Sequence, residues 1–416
     1  MSRAPAEDPL HLLIRARMAG LPVLEHDASL GMPLQVVGFG AEEVIAATEA
    51  MLSTRVTMGS EVLRFERAFA DWVGARYGVM VNSGSSANLL LFSALVATGR
   101  LEVGDEVLVP AVGWSTTLFP VVQAGLVAVL VDVDAATLCL DASAAAAALG
   151  PRTRAAFPVH LLGCSAPIAP LEALGLTVLE DACGAHGAEI GGRRVGGFGL
   201  AGTFSFFFSH HMTTVEGGIV LTDDPGLADA LRSLRAHGWI RERSDASAQA
   251  AAHPQIDPRF LFLTPGFNLR PTELSAAFGL AQLARLDGFV ARRRANHCEW
   301  CARIAGAGLP LRVFPEPAGT LHAGFSFPIL LDEGAPRGRA EVMATLEARG
   351  IATRPISGGN LTRQPVFPSL PRTRVPHPLS QADAVHARGF FVGNSHAFGP
   401  AHGLRLLEAL QEAFRA

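Results

Sequence analysis

The stretch Phe204–Val220, FSFFFSHHMTTVEGGIV, ends an apolar run in two adjacent histidines, His210 and His211, and returns through Glu216, Gly217 and Gly218. Imidazole is the side chain that takes up and returns a proton near neutral pH. Three other short motifs carry complementary groups. Gly84, Ser85 and Ser86, in VNSGSSANLLL, lie between a strand-like run and a helix-like one. Amides and hydroxyls at a helix start cradle a phosphate, and they also serve as plain caps. Glu180 and Asp181 close the run LTVLED. A carboxylate there pairs with a protonated heterocycle nitrogen, or caps the turn that follows. Trp114 comes after EVLVP, where an indole stacks on a flat ring or fills the core.

All these groups fall at the ends of apolar runs, so the elements that position them can be read from the pattern. Strand candidates begin near residues 77, 106, 127, 154, 176, 202 and 217, most of them separated by a helix-length segment. That alternation predicts right-handed crossovers onto a largely parallel sheet with helices on both faces. In such sheets ligands bind beyond the carboxyl ends of the strands. Residues 1–32 read as a lead-in and 33–290 as a large domain. A helix from about 271 to 305 bridges to a smaller C-terminal domain, 291–416, with a strand in HAGFSFPILL and helices in RAEVMATLEARG and after GPAHG.

Composition excludes several classes. With 34 Lys+Arg against 38 Asp+Glu and no basic tract, the chain has no footprint for nucleic acid. The start MSRAPAEDPL has no signal-peptide pattern and AGLVAVLVDV is too short to span a bilayer, so neither export nor membrane insertion is expected and the cytoplasm is the expected location. Five cysteines, an odd number, fit reduced thiols. Cys298 and Cys301 form C-x-x-C without a second pair or a histidine spacing, so no metal is expected.

Taken together, GSSAN, EDACGAHGA, Ser205, SHHMTTVEGG and PGFNLRPTELSAA make the chain resemble the sugar aminotransferase and dehydratase family of the DegT/DnrJ/EryC1/StrS type over nearly its whole length. The resemblance implies the α/β fold of fold-type I, aspartate aminotransferase-like enzymes dependent on pyridoxal 5′-phosphate: a large, mostly parallel sheet domain and a smaller C-terminal α/β domain. It implies a phosphate held by Gly84, Ser85, Ser86 and Ser205, a ring nitrogen held by Asp181, and Trp114 over the ring. Asn268, in PGFNLRP, matches a residue that reaches the phosphate of a neighbouring subunit, so a homodimer is expected.

Where aminotransferases of this family carry a lysine, counted back from Glu216-Gly217-Gly218, this chain has His210. Lysine bonds covalently to the cofactor; imidazole forms no such stable link and moves protons only. The chain therefore resembles the family's histidine-bearing 3-dehydratases, with His211 packing behind the base. The branch with an iron–sulfur cluster carries a cysteine-rich insertion after the glycine pair, and the segment from Leu234 to Asn268 contains no cysteine. The other branch has no iron–sulfur cluster and recovers pyridoxamine 5′-phosphate from L-glutamate. The expected reaction is removal of the C3 hydroxyl from a nucleotide-linked 4-keto-6-deoxyhexose, with GDP as the expected carrier, and His237, Arg354, Asn360 and His396 lining the sugar-nucleotide site. Alternatives are a CDP- or dTDP-linked substrate, a keto-sugar aminotransferase-like reaction, or a non-catalytic regulatory relative.

Overall fold

The structure, a computed structural model, describes residues 8–19 and 31–415. The rest of the expected lead-in, 1–7 and 20–30, lies outside the described residues. A sheet of eight strands runs in the order Tyr77–Val81, Gly218–Thr222, Ala201–Ser205, Thr177–Asp181, Thr153–Ala156, Glu106–Pro110, Val127–Val131, Thr373–Arg374. Gly218–Thr222 runs antiparallel to both of its neighbours, and the other strands share one direction.

The strands read as continuous apolar runs because both sheet faces are covered. Along Glu106–Pro110, Val107 and Val109 join one buried cluster and Leu108 another. Along Val127–Val131, Ala128 and Leu130 join the first, Val129 and Val131 the second. A period of two thus sorts one apolar strand into two cores.

A second sheet, entirely antiparallel, orders Leu311–Val313, Ser326–Leu331, Gly389–Gly393 and Thr353–Pro355. Its core draws on Val342, Leu346, Leu406 and Leu410 from the helices Arg339–Ala348 and Pro400–Arg415. It also takes Met32 and Val36 from the N-terminal segment, and Trp300 and Ile304 from the helix Glu273–Ala305. The division expected near residue 290 therefore falls inside one continuous helix, whose two ends enter different cores. Thr373–Arg374, from the C-terminal part, pairs with Ala128 and Val129 of the large sheet. These crossings tie the two cores along several stretches of chain, where the sequence alone marked a single bridge.

The long helix also fixes the helix Ser60–Val73. The Glu273 carboxylate, 3% exposed, accepts from the amides of Gly59 (2.9 Å), Glu61 (3.0 Å) and Val62 (2.9 Å), which satisfies the start of that helix from outside it. Removing a charged acceptor leaves buried donors unpaired, at a cost of about 1–3 kcal/mol. Glu273→Ala should lower unfolding stability by that amount in urea titration, and Glu273→Gln by less; an Ala variant as stable as the parent would show that water replaces the carboxylate.

Candidate active site

Because seven of the eight strands point the same way, the ends of Tyr77–Val81, Ala201–Ser205, Thr177–Asp181 and Glu106–Pro110 open on one edge of the sheet, and the reversed strand begins there at Gly218. Backbone contact brings the motifs together. The helix Gly84–Ala97 starts directly after Ser83, whose hydroxyl accepts from the Ser86 amide at 3.1 Å. Its first intrahelical bond runs from Ala87 N to the Ser83 carbonyl. That leaves the Gly84 and Ser85 amides, at the positive end of the helix dipole, for an anion. A Cβ on Gly84 would lie 2.5 Å from the Ser205 Cβ, and a Cβ on Gly218 would collide with the Ser83 carbonyl. Gly84, Ser85, Ser86 and Ser205 thus form one cradle.

Asp181 is 4% exposed. Its Oδ2 accepts from the Thr117 hydroxyl at 2.8 Å and from the Asn88 amide at 3.2 Å, and its Oδ1 from the Cys183 amide at 3.2 Å. The turn reading holds, since the carboxylate accepts from the Cys183 amide, and the bonds from Thr117 and Asn88 fix it at the strand end. Its neighbour Glu180 points the other way, as alternation along a strand requires. There it accepts from the amides of Gly196, Phe198 and Gly199 and from His160 Nε2 at 3.0 Å. His160 Nδ1 accepts from the Ala166 amide, which leaves the hydrogen on Nε2. Burial alone would raise the Glu180 pKa, but the His160 contact and the amides outweigh it and hold it below the usual carboxylate range. Glu180 braces the wall behind Asp181.

Trp114 caps the helix Ser115–Gln123 and is 63% exposed, so it does not fill the core. It stands one turn before Thr117, the residue that bonds Asp181.

The loop after Ser205 folds back on itself: Thr214 N and the Thr213 hydroxyl both bond the Phe206 carbonyl, and His210 N bonds Phe207 O at 3.0 Å. Gly217 belongs to this closure, since a Cβ there would strike the Thr214 hydroxyl. His210 ends half-buried with its Nδ1 enclosed and unpartnered and its ring 5.2 Å from Phe325. Desolvation, with the cation of Arg293, lowers its pKa to about 4. His211 is buried, bonds the Ala323 carbonyl at 3.1 Å through Nε2, and is likewise pushed down by burial and then by Arg293. A third imidazole, His186, is fully buried among Phe69, Phe204 and Phe206, with its ring centroid 5.3 Å from that of His211 and 6.1 Å from that of His210.

Asn268 is exposed; its backbone bridges Ala236, and the next residue's carbonyl accepts from Asn82 at the foot of the cradle. His237, at a positive φ of 66°, lies in the same bridge with its ring 5.1 Å from Trp239. Arg354 is exposed, and the loop after it reaches the mouth, Gly358 N bonding Gly113 O. The remaining two sit differently. Asn360 is 1% exposed, and both ends of its amide are engaged, by Asp383 at 2.7 Å and by Thr362, so it anchors the loop. His396 packs on Phe289 at 4.3 Å and against Gly38. Sequence reasoning missed Thr117, Asn88, His160, His186, Phe325 and Arg293. Asn88 closes the GSSAN motif and Thr117 lies three residues after Trp114, so helical spacing was the available signal for those two; the others are assembled only by the fold. Asp8, His11 and Glu49 are the group among the described residues close enough to share a metal ion, and they sit on the outside where Pro9–Ala19 packs on Ala41–Leu52.

A serine-lined helix start, a rigid carboxylate and an exposed indole around one opening are the fittings for an anionic, protonated aromatic cofactor. Residues 39–411 match the DegT/DnrJ/EryC1/StrS aminotransferase family, and the chain belongs to it. It is an α/β enzyme of pyridoxal-phosphate fold-type I, with pyridoxal 5′-phosphate as its cofactor. The chain is 36% identical to GDP-4-keto-6-deoxy-D-mannose 3-dehydratase of Yersinia pseudotuberculosis, over 92% of this chain and 98% of that one. It is 37% identical to dTDP-4-dehydro-2,6-dideoxy-D-glucose 3-dehydratase of Saccharopolyspora spinosa, over 85% and 80%. A crystal structure of GDP-4-keto-6-deoxymannose-3-dehydratase with a trapped PLP-glutamate geminal diamine superposes with a TM-score of 0.85 at 33% identity, covering 92% of this chain and all of that one.

The residues present fit the cofactor: the cradle for its phosphate, Asp181 for its ring nitrogen, Trp114 for its face. Histidine at 210 offers no amine for covalent attachment, so these contacts would have to hold it without a covalent link. Gly84→Ala forces the cradle off Ser205, and pyridoxal phosphate binding, followed by absorbance titration, should weaken by at least about tenfold, or about 1.4 kcal/mol. Unchanged affinity would place the phosphate elsewhere.

Proposed function

We propose that this chain removes the C3 hydroxyl of a nucleotide-linked 4-keto-6-deoxyhexose, with GDP-4-keto-6-deoxymannose as substrate and L-glutamate restoring the amine form of the cofactor, to make a 4-keto-3,6-dideoxysugar. The observation that carries this reading is His210 at the position of the family's lysine, beside the Ser205 cradle. Bound in its amine form, the cofactor supplies an amine for the C4 ketone and a protonated ring that withdraws electron density. Asp181 keeps that ring nitrogen protonated through charge pairing in a shielded site. His210, whose Nδ1 is enclosed, is assigned as the group that takes the proton from the cofactor's C4′ carbon and then delivers a proton to the departing C3 hydroxyl. Trp114 holds the ring plane. His237 and Arg354 are assigned to the sugar nucleotide; Asn360 anchors its loop, and His396, packed on Phe289 beside Gly38, is given no contact with the substrate.

The GDP carrier is supported by the Yersinia relative, which aligns with this chain over 98% of its length at 36% identity; the Saccharopolyspora relative, named for a dTDP-linked sugar, makes the carrier the first variable to test. The cluster-free route is supported by the sequence itself, which has no cysteine between Cys183 and Cys298. No described helix is long and apolar enough to cross a membrane.

Incubation with GDP- and dTDP-linked 4-keto-6-deoxysugars and glutamate, read by product mass, decides the reaction: loss of the C3 oxygen supports dehydration, and retention with gain of an amino group makes the chain an aminotransferase. His210→Asn should keep cofactor affinity and lose roughly 10²–10⁴ in rate, the usual contribution of a general base. His210→Lys should yield a borohydride-reducible adduct on that residue. Parental turnover in the Asn variant, with His211→Asn inactive, would move the base to the second histidine.

Assembly follows from Asn268, exposed beside the cradle of its own chain and assigned to the phosphate of a second copy. Sedimentation of the active enzyme should give a dimer; a fully active monomer would confine the site to one chain.

A further inference from the structure

Arg293 is 1% exposed on the helix Glu273–Ala305 and, among the described residues, makes no ion pair. Its Nη1 donates to the carbonyls of Phe325, at 3.2 Å, and Asn394, while its Nε is buried without a partner. The Asn394 amide returns bonds to the carbonyls of Arg293 at 2.8 Å and Gly324 at 2.9 Å, and its oxygen accepts from Asn296 at 3.1 Å. A Cβ on Gly324 would lie 2.7 Å from the Arg293 carbonyl, so helix and turn are in direct backbone contact. On the far side of the same turn His211 bonds Ala323 O, and the Phe325 ring lies 5.2 Å from that of His210 and 5.7 Å from that of His211.

We infer that Arg293 is a positioning residue of this site, clamping the Ala323–Phe325 turn so that Phe325 fixes the His210 ring, and placing an uncompensated positive charge behind three imidazoles. The inference rests on the reading of His210 as the base. A buried guanidinium without a carboxylate is costly, and a merely structural role would be served as well by a neutral side chain of the same shape. Here the charge has an effect. Burial lowers the Arg293 pKa to about 10, which still leaves it cationic at neutral pH. Of the groups around His210, which are His211 on its own loop, His186 from the loop after Asp181, Phe325, and Arg293 from the long helix, only Arg293 carries charge, and it acts against protonation of all three rings.

The sign follows. His210 has a folded pKa near 4 against about 6.5 for a free imidazole, so it stays neutral through the neutral range and protonates only as pH falls well below 6. The unfolded chain binds more protons over that window, so stability present above pH 6.5 is lost as pH falls toward 4.

The test is histidine NMR on the full chain, with and without pyridoxamine phosphate, using His210→Asn to assign the signal. In the parent, His210 should remain neutral to near pH 4 and carry the ring-current shift of Phe325. Arg293→Met should move the titration up by about one unit or more toward 6.5. Arg293→Lys should keep it low, since the charge remains, while the Phe325 shift weakens as the forked donor is lost. A parental His210 titrating at 6.5 or above overturns the inference, as does a folded Met variant with an unmoved titration. If the Met variant does not fold, a Lys variant that titrates at 6.5 with an unaltered ring-current shift overturns it equally. Full turnover in His210→Asn would sink the base assignment and leave the titration result standing, so the two failures are distinct.

Discussion

The approach of the Ser83–Gly84 turn to the ends of the strands Ala201–Ser205 and Gly218–Thr222 sets the geometry of everything else at this site. The Gly84 Cα faces Ser205, and Gly218 lies under the Ser83 carbonyl, at separations that admit no side chain on either glycine. Such closeness requires the strand that starts at Gly218 to enter the sheet beside Tyr77–Val81 and antiparallel to it, since a parallel strand would begin at the opposite edge. The reversal in an otherwise parallel sheet therefore has a functional consequence. It returns the histidine loop to the same edge as the helix start and Asp181, with only the residues from Phe206 to Gly217 to make the turn.

Much of this was legible in the sequence. Seven of the eight strands of the large sheet begin within a residue or two of the apolar runs, because strands covered on both faces have little freedom in composition. The glycines, Asp181 and His210 stood out because each breaks an apolar run at its end. Three things were not legible. The antiparallel direction of Gly218–Thr222 leaves no mark on a strand that is buried throughout. Thr373–Arg374 is too short to show a period, and it joins the sheet through a contact nearly 250 residues distant in the chain. His396 was expected to line the sugar-nucleotide site, yet the residues before it, Gly389–Gly393, form a central strand of the small sheet, and Asn394 just after that strand bonds the long helix and the Gly324 turn.

The site residues that escaped notice share a physical character. Thr117, Asn88, His160 and Arg293 act on other residues and gain meaning only once those partners are beside them. Arg293 sits in the run ARRRANH, where three consecutive arginines look like a solvated helix face. Helical geometry separates them: Arg293 turns inward to 1% exposure while Arg294 pairs with Glu316 at the surface. Composition cannot make that distinction, because it depends on where a 33-residue helix lies against two cores.

Opposite charges at the two ends of the site give the histidine-for-lysine exchange a physical logic. On the reading proposed above, Asp181 would supply negative charge where a ring nitrogen must stay protonated, and Arg293 positive charge where an imidazole must stay neutral. A base of low pKa is a weak acceptor, but its conjugate acid is correspondingly strong, and expelling a hydroxyl needs a strong acid near the leaving oxygen. Lysine at the same position, with an ordinary pKa of about 10.4, would sit on the other side of that balance and would bond to the cofactor besides. On that reading an imidazole held neutral beside a buried cation would favour elimination over amine exchange, and the helix that carries the cation contributes to both cores.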